Sequence, residues 1–316
     1  MTKVVYIFSS PRSGSTLLSL ILGNHRAVAN IGEVSFIPKL LALGEPCTCL
    51  APLNTCPQWA SVFNRLRKEV NIDMRTNPYQ LWLGDAIKRG GGKKDTDYQT
   101  RSRVAKAKFR AGCEHLELSV PSFIGQHASM LPWVNSSVKN TFTLYNAVAK
   151  EWAADVLVDA SKLTRKGIYL YRSNPDNVRL IQLVRDGRGV VASRSKHLSI
   201  TRAAQQWKRY HELTDILVER WVGSDHYTKI RYEDFVENPI QRINDICEWI
   251  GIPFYESILK FSGNQSIHSA GGNPTRFKAD DGIRAVDDSW RKKLSGKDLN
   301  DFSRIAGRLN TAYGYT

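Results

Sequence analysis

The chain has 316 residues, of which 42% are hydrophobic and 10% aromatic, a composition that excludes an intrinsically disordered protein. No apolar run approaches the length needed to cross a bilayer. The formal net charge of +15 favours a polyanionic partner, which could be nucleic acid, an acidic membrane surface, an acidic glycan or a highly charged nucleotide.

The first pattern along the chain predicts a strand, a loop and the start of a helix. The apolar run from Val4 to Phe8 is followed by S-S-P-R-S-G-S-T and then by a second apolar run from Leu17 to Leu22. The first N–H groups of a helix have no intrahelical acceptor and the helix dipole adds positive charge, so we expect a phosphate-binding loop. Arg12 supplies a cation here, whereas the loop of nucleoside triphosphatases has a lysine after its second glycine. Taken alone, the segment could also be a serine-rich turn that caps a buried helix.

Two features follow the first helix. Gly32 predicts a turn that presents the carboxylate of Glu33, which could complement a helix dipole or act in catalysis.

Cys47, Cys49 and Cys56 then lie in a loop rich in turn residues. Zinc sites usually need a fourth ligand and C-x2-C spacing, and no histidine follows at finger spacing, so packed thiols or a local disulfide are favoured over a metal. The total of five cysteines, an odd number, favours a reducing, cytoplasmic location.

From Trp59 to about Leu118 the pattern is helical, with breaks at Asn77-Pro78 and at the glycine run of residues 89–95. The basic residues between Arg101 and Arg110 could form a solvated face or line a cleft. A long amphipathic helix is predicted from Ser136 to Ala154.

A buried strand is predicted over residues 155–159, followed by Ala160-Ser161-Lys162. In parallel α/β sheets ligands bind at the carboxyl ends of the strands, so Lys162 is either a functional cation or a solvated lysine on a loop.

A second strand, charged glycine turn and helix is predicted over residues 179–194. Arg185 stands at the end of the strand and Ser193 eight residues later, so the sequence predicts two separate anion sites, each at a strand end. A long helical region over 197–221, a strand over 226–232, a helix from Glu233 and a glycine turn around Arg276 follow. That last turn could fold over a ligand.

These segments together resemble sulfotransferases that use 3′-phosphoadenosine 5′-phosphosulfate (PAPS). Pro11 to Leu18 is similar to the family's 5′-phosphosulfate loop, Leu180 to Arg194 to its 3′-phosphate segment, and Arg231 to Asp234 to its Y-E-D stretch. The loop P-R-S-G-S-T is most similar to that of bacterial PAPS enzymes. The resemblance implies an α/β fold with a P-loop-like, mostly parallel central sheet flanked by helices. It also implies a single domain over residues 1–316, with a helical acceptor-side insertion over about 59–133.

The resemblance also implies roles for individual residues. It implies that backbone N–H groups of Ser13, Gly14, Ser15, Thr16 and Leu17 hold the 5′-phosphate. Arg185 and Ser193 would hold the 3′-phosphate, Tyr232 would meet the adenine, and Arg276 would lie near the 3′-phosphate. In tyrosylprotein sulfotransferases the general base is a glutamate 21 residues after the loop arginine, which is the spacing from Arg12 to Glu33. Cytosolic arylsulfotransferases use a histidine that has no clear match here, which leaves His25 and His127 as alternative bases.

The implied reaction is an in-line transfer of the sulfuryl group to a hydroxyl, or an amine, of a small metabolite, lipid or sugar, with 3′-phosphoadenosine 5′-phosphate (PAP) as product. Arg12, helped by Lys162, would stabilise the charge on the leaving group, and the protein is expected to require no metal. The charge of the nucleotide accounts for part of the basic excess, which weakens the case for a nucleic-acid partner. A phosphotransferase with a divergent phosphate loop and a basic nucleic-acid-binding protein are the alternatives.

Overall fold

The computed structural model describes residues 2–84, 101–119, 129, 131–260, 267–277, 283 and 286–316. Within these ranges, five strands form one parallel sheet in the order β2-β3-β1-β4-β5. The strands are β1 (Lys3–Ser9), β2 (Val28–Gly32), β3 (Val156–Asp159), β4 (Val178–Val184) and β5 (Tyr227–Arg231).

Both faces of the sheet are covered. Along β1, Tyr6 and Phe8 pack into one apolar cluster, while Val5 and Ile7 pack into another on the opposite face. Successive side chains of a strand point to opposite faces, so these two clusters are the two interfaces between the sheet and its helices. This confirms the predicted α/β fold with a parallel central sheet flanked by helices.

The helices fill the connections between strands and the C-terminal part of the chain. They are α1 (Ser15–Gly23), α2 (Ile37–Ala42), α3 (Pro57–Val70), α4 (Arg101–Ser119), α5 (Pro132–Trp152), α6 (Thr164–Ser173), α7 (Gly187–Arg194), α8 (Ile200–Trp221), α9 (Tyr232–Glu237), α10 (Pro239–Ile250), α11 (Trp290–Lys293), α12 (Gly296–Phe302) and α13 (Arg308–Ala312). Within the described ranges, no helix is both long and apolar enough to span a membrane.

One helical prediction is wrong in part. The region from Trp59 to Leu118 is not helical throughout, because α3 ends at Val70 and residues 71–84 contain no helix. Asn71 ends α3 in the left-handed conformation with φ of 55°, which asparagine tolerates better than most residues. The glycine run of residues 89–95 lies outside the described residues.

The strand order places a crevice between the ends of β1 and β4. From β1 the chain leads to β2 on one side of the sheet, whereas from β4 it leads to β5 on the other side. The loops after β1 and β4 therefore diverge, and parallel α/β sheets bind ligands at such a switch point.

Candidate active site

Five of the predicted site residues stand just after five different strands. Glu33 follows β2, Lys162 follows β3, Arg12 follows β1, Arg185 follows β4 and Tyr232 follows β5. In the order of the sheet they therefore run from the carboxylate, through three cations, to the aromatic ring. The sheet thus brings to one edge residues that are up to 220 positions apart in the sequence.

The loop between β1 and α1 forms a cradle of backbone donors. Arg12 and Gly14 have φ of 75° and 90°, and α1 begins at Ser15. The side chains of Ser10 and Ser13 hydrogen-bond each other, with 2.7 Å between their Oγ atoms. In the described part of the chain, the backbone N–H groups of residues 13–17 donate no hydrogen bond. Unpartnered N–H groups at left-handed residues and at a helix start fit an anion such as a phosphate.

The two predicted anion sites are in direct contact and line one continuous crevice. Arg12 Nε donates to Ser193 Oγ over 2.9 Å, and Arg185 Nη1 donates to the carbonyl of Arg12 over 3.0 Å. The reason is the neighbouring position of β1 and β4 in the sheet, which brings the loop after β1 against the residue that follows β4 and the last turn of α7.

Tyr232 lies against the same loop. The guanidinium carbon of Arg185 is 4.9 Å from the centre of the Tyr232 ring. A Cβ atom on Gly14 would stand 2.4 Å from that ring, so the ring and the loop are in close contact. Burial raises the pKa of Tyr232. The ring is therefore a neutral, apolar surface beside the anion cradle.

A basic cavity of about 520 Å³ adjoins Arg12 and Ser193. Its other lining residues are Ala192, Ser195, Lys196, His197 and Lys293. The sequence reasoning missed Lys196 and His197, although both follow Ser193 closely, and nothing in the sequence pattern indicates Lys293, which comes from α11.

Asp287 also reaches this region, where its carboxylate is 3.3 Å from Arg185 Nη2. The pKa of Asp287 is lowered by hydrogen bonds from Ser289 and, to a smaller degree, by Arg185. This half-exposed carboxylate shows that the free face of Arg185 accepts an anionic partner.

Glu33 and Lys162 form a buried ion pair beside the loop. Lys162 Nζ is 2.6 Å from Glu33 Oε1, and the two side chains are 18% and 8% exposed. Lys162 has φ of 64°, and the turn that contains it is held by Ser161, whose N–H donates to Asp159 Oδ1 and whose hydroxyl accepts from the N–H of Ser35. The turns after β2 and β3 are thus tied together, which fixes the ion pair.

Arg276 lies on the Glu33 side of the site. It is 4% exposed and donates to the carbonyls of Gly272 and Pro46. Burial lowers its pKa, and the negative charge of Glu33 opposes that shift. The glycine turn folds onto the start of α1, where the N–H of Asn273 donates to Thr16 Oγ1. These contacts lend no support to a position of Arg276 beside the 3′-phosphate residues.

His25, one of the two alternative bases, does not lie beside Glu33. His25 precedes β2 and therefore lies at the opposite end of that strand from Glu33. Its Nε2 bonds the carbonyl of Pro253 and its Nδ1 accepts from the N–H of Ala27. This position excludes His25 as the base, and His127 lies outside the described residues.

A second cavity, of about 250 Å³, opens beside Lys162 between α4, α5, α6 and α8. Its apolar lining includes Trp82, Leu83, Trp133, Val134, Val138, Leu163 and Leu213, and its polar lining includes Glu114, Arg165, Lys166, Tyr169 and Tyr210. Burial lowers the pKa of Lys166 to about 7. Part of the predicted acceptor-side insertion over 59–133 therefore borders a cavity that reaches Lys162, the partner of Glu33.

The parallel sheet has, at its switch point, two turns whose backbone donors and arginines fit an anion, which places the chain in a class of α/β proteins with a ligand crevice at the strand ends. The model of the sulfotransferase family matches residues 94–256, which is just over half of the chain and includes Lys162, Arg185, Ser193 and Tyr232. The chain belongs to the sulfotransferase family.

Relatives and solved structures agree with this assignment. Carbohydrate sulfotransferase 1 from Rattus norvegicus and from Homo sapiens are each 30% identical to the chain over an alignment of 145 positions, and the match covers 38% of this chain and 34% of each relative. The match thus spans about a third of the length of these curated relatives. The sulfotransferase domain from the curacin biosynthetic pathway superposes with a TM-score of 0.53 at 17% identity, over 100% of this chain and 99% of that domain. The sulfotransferase domain of the Synechococcus PCC 7002 olefin synthase gives 0.52 at 18% identity, over 100% and 97%. Both share the fold.

Proposed function

We propose that the protein transfers a sulfuryl group from PAPS to a hydroxyl group of a small acceptor. The observation that carries this proposal is the arrangement along the sheet edge, where the anion cradle after β1 and β4 lies next to a buried carboxylate–lysine pair after β2 and β3. Membership of the sulfotransferase family supports the same reaction.

The residues of the cradle fit the two ends of this donor. The unpartnered N–H groups of residues 13–17 would hold the 5′-phosphate. Arg185 and Ser193 would hold the 3′-phosphate, because a guanidinium makes strong, charge-assisted hydrogen bonds to phosphate oxygens. The flat ring of Tyr232, which packs on Gly14 and Arg185, offers a surface for the adenine.

When bound, PAPS supplies an activated sulfuryl group whose bond to the 5′-phosphate breaks as the new bond to the acceptor oxygen forms, which leaves PAP. Glu33 would accept the proton of the acceptor hydroxyl, and Lys162, 2.6 Å from its Oε1, favours the ionised carboxylate that this role requires. Arg12 would stabilise the negative charge that develops on the 5′-phosphate side. Its guanidinium is already oriented by Ser193, so little reorganisation is needed.

We propose that the acceptor enters through the cavity beside Lys162. Two indole rings, Trp82 and Trp133, and the charged groups of Glu114, Arg165 and Lys166 line it. A small pocket with aromatic walls and a few polar groups suits a compact polyhydroxylated molecule better than an extended lipid. Because the matched relatives are carbohydrate sulfotransferases, a sugar hydroxyl is the acceptor that we favour over another small metabolite or a lipid.

Binding of PAP and 5′-AMP by the wild-type protein and an Arg185→Ala variant tests the donor site. PAP should bind more tightly than 5′-AMP and should raise the melting temperature. In Arg185→Ala the affinity for PAP should fall about tenfold or more, while that for 5′-AMP changes little, because a charged hydrogen bond contributes about 1.5–3 kcal/mol. Equal affinities for PAP and 5′-AMP in the wild-type protein would refute the donor proposal.

Two measurements separate this proposal from the alternatives. A phosphotransferase would hydrolyse ATP in the presence of magnesium, whereas we expect no such activity. A nucleic-acid binder would retain DNA or RNA on a filter with a steep salt dependence.

The acceptor is best found without a prior choice of substrate. The protein and PAPS are incubated with a cell extract, and mass spectrometry identifies species that have gained a sulfuryl group. A Glu33→Gln variant is the matched control, because products of the enzyme should be missing from it. Products that appear equally with the variant would contradict the role of Glu33.

A further inference from the structure

Four side chains of types that bind metal ions lie close together beside the turn that holds Glu33. Cys47, Cys49 and Cys56 come from the loop between α2 and α3, and His268 comes from the segment before the glycine turn. The three Sγ atoms and one ring nitrogen of the histidine all lie within 4.8 Å of one another. Cys47 and Cys56 are fully buried.

Three of the six distances between ligand atoms are close to the edges of a zinc tetrahedron. Bond lengths of about 2.3 Å to sulfur and about 2.05 Å to nitrogen imply edges of about 3.8 Å between two sulfurs and about 3.6 Å between sulfur and nitrogen. The Sγ atoms of Cys49 and Cys56 are 3.7 Å apart. The Nδ1 atom of His268 is 3.3 Å from Cys56 Sγ and 3.9 Å from Cys47 Sγ.

The same distances do not describe a disulfide. A disulfide requires about 2.05 Å between sulfurs, and all three cysteines are free thiols here. A disulfide would also use two of the three thiols and leave the histidine without a function in the cluster. Three thiolates and one imidazole, in contrast, are a complete ligand set for a structural zinc ion.

The backbone around the four side chains is already fixed. Trp59 Nε1 donates to the carbonyl of His268 over 2.6 Å, and Thr48 bonds Ser269 through both its N–H and its hydroxyl. Ala270 bridges to both Cys47 and Gly32, and its carbonyl accepts from the N–H of Glu33. The cluster therefore lies where the cysteine loop, the late glycine segment and the turn that holds Glu33 meet.

We propose that Cys47, Cys49, Cys56 and His268 bind one structural Zn²⁺, which fastens the segment of residues 267–277 to the cysteine loop. The ion takes no part in the reaction. Its effect is mechanical, because the segment that it holds carries Ala270 against Glu33 and Asn273 against Thr16. This reverses the preference for packed thiols or a disulfide that the sequence alone suggests.

The metal content of the full chain, purified without a histidine tag, tests this proposal. Mass spectrometry of the elements should find about one zinc per chain in the wild-type protein. His268→Ala should contain none, whereas His268→Cys should retain the ion because it restores a fourth ligand of the right kind. Cys113→Ser, which changes a thiol on α4 away from the cluster, should contain as much zinc as the wild type.

A second measurement on the wild-type chain does not depend on the folding of any variant. Replacement of the ion by cobalt should produce the visible absorption of tetrahedral cobalt with thiolate ligands. Metal-free protein whose mass before reduction is two hydrogens below that of the free thiols would establish a disulfide and overturn the proposal. Metal-free protein with every thiol open to alkylation, after growth with added zinc, would overturn it as well.

Discussion

Arg12 joins the two halves of the donor site because its side chain and its backbone have different partners. Its guanidinium binds Ser193, while its carbonyl accepts from Arg185. The left-handed φ of 75° is unfavourable for a residue with a side chain, and these two contacts hold the residue in it. The sequence indicates the charge of Arg12, but not this double contact, which depends on the neighbouring position of β1 and β4.

Removal of the Ser193 hydroxyl should weaken donor binding. Ser193→Ala removes the hydroxyl proposed to bind the 3′-phosphate and also the partner of the Arg12 guanidinium, so we expect a loss of about tenfold in PAP affinity, since a hydrogen bond to a charged group contributes about 1.5 kcal/mol or more. Titration calorimetry measures this change. Ser195→Ala is the matched control, because that hydroxyl lines the same cavity but bonds the carbonyl of Ala192. Equal losses in both variants would mean that the contact with Arg12 is unimportant.

Glu33→Gln should abolish turnover and leave PAP affinity unchanged. The amide keeps the shape of the side chain but cannot accept the acceptor proton, and general-base catalysis contributes about 10²- to 10⁴-fold. Steady-state rates with PAPS and calorimetry with PAP check the two halves of this prediction. The control is Glu248→Gln, which changes an exposed glutamate on α10. Turnover near that of the wild type would assign the base to another residue.

At the scale of the elements, the loop between β1 and α1 depends on Gly14. Its φ of 90° favours glycine, and the Tyr232 ring occupies the space where a Cβ atom would be. Gly14→Ala should therefore displace Tyr232 or distort the loop, and we expect at least a tenfold loss of PAP affinity. Gly44→Ala separates the two causes, because Gly44 also has a positive φ, 61°, but nothing lies within 4 Å of its Cβ position. If Gly44→Ala lost as much affinity, or Gly14→Ala none, the contact with Tyr232 would have no role in binding.

β1, β3 and β4 were accessible to prediction because each is a short, largely apolar run followed by a turn that carries a charge. Arg12, Lys162 and Arg185 could all be found by that pattern. The ends of the helices between residues 59 and 118 could not be predicted in this way. Asn71 ends α3 through a left-handed backbone conformation, and the spacing of apolar residues contains no information about it. Glu33 is next to Lys162 because β2 pairs with β3. This pairing joins strands that are far apart in the sequence, so the residues around Glu33 or Lys162 alone do not indicate it.

At the scale of the whole molecule, a buried charge should make stability depend on pH. Lys166 Nζ donates to the carbonyl of Ser137, and burial lowers the pKa of Lys166 to about 7 in the folded chain, against about 10.5 for an exposed lysine. Between these values the unfolded chain binds more protons, so the free energy of unfolding rises with pH. Below about pH 7 both states are charged and the full cost of burial is present.

Lys166→Met should therefore be more stable than the wild type at pH 7, and the difference should shrink as the pH approaches about 10. Denaturant unfolding at several pH values measures this. Lys150→Met, at an exposed position on α5, should show no such trend. A constant difference between Lys166→Met and the wild type would show that the amine does not titrate in this window.

His268 illustrates what sequence reasoning could not find in the cysteine cluster. It lies 212 residues after Cys56, far outside the spacing of a zinc finger. The three cysteines are close together in the sequence, whereas only the fold brings the histidine to them.

The bridge between Ala270 and Gly32 has a consequence for the order in which the chain assembles. Once β5 and α9 have left the ribosome, the chain already contains the donor residues Arg12, Arg185, Ser193 and Tyr232. The bridge that supports the turn before Glu33 forms only after residues 267–277 have been synthesised. At about 5–20 residues per second, the 40 residues from the end of α9 to residue 277 take about 2 to 8 s. During synthesis the turn that holds Glu33 therefore gains its backing only after these four donor residues have emerged, and Asp287 and Lys293 complete the donor side later still.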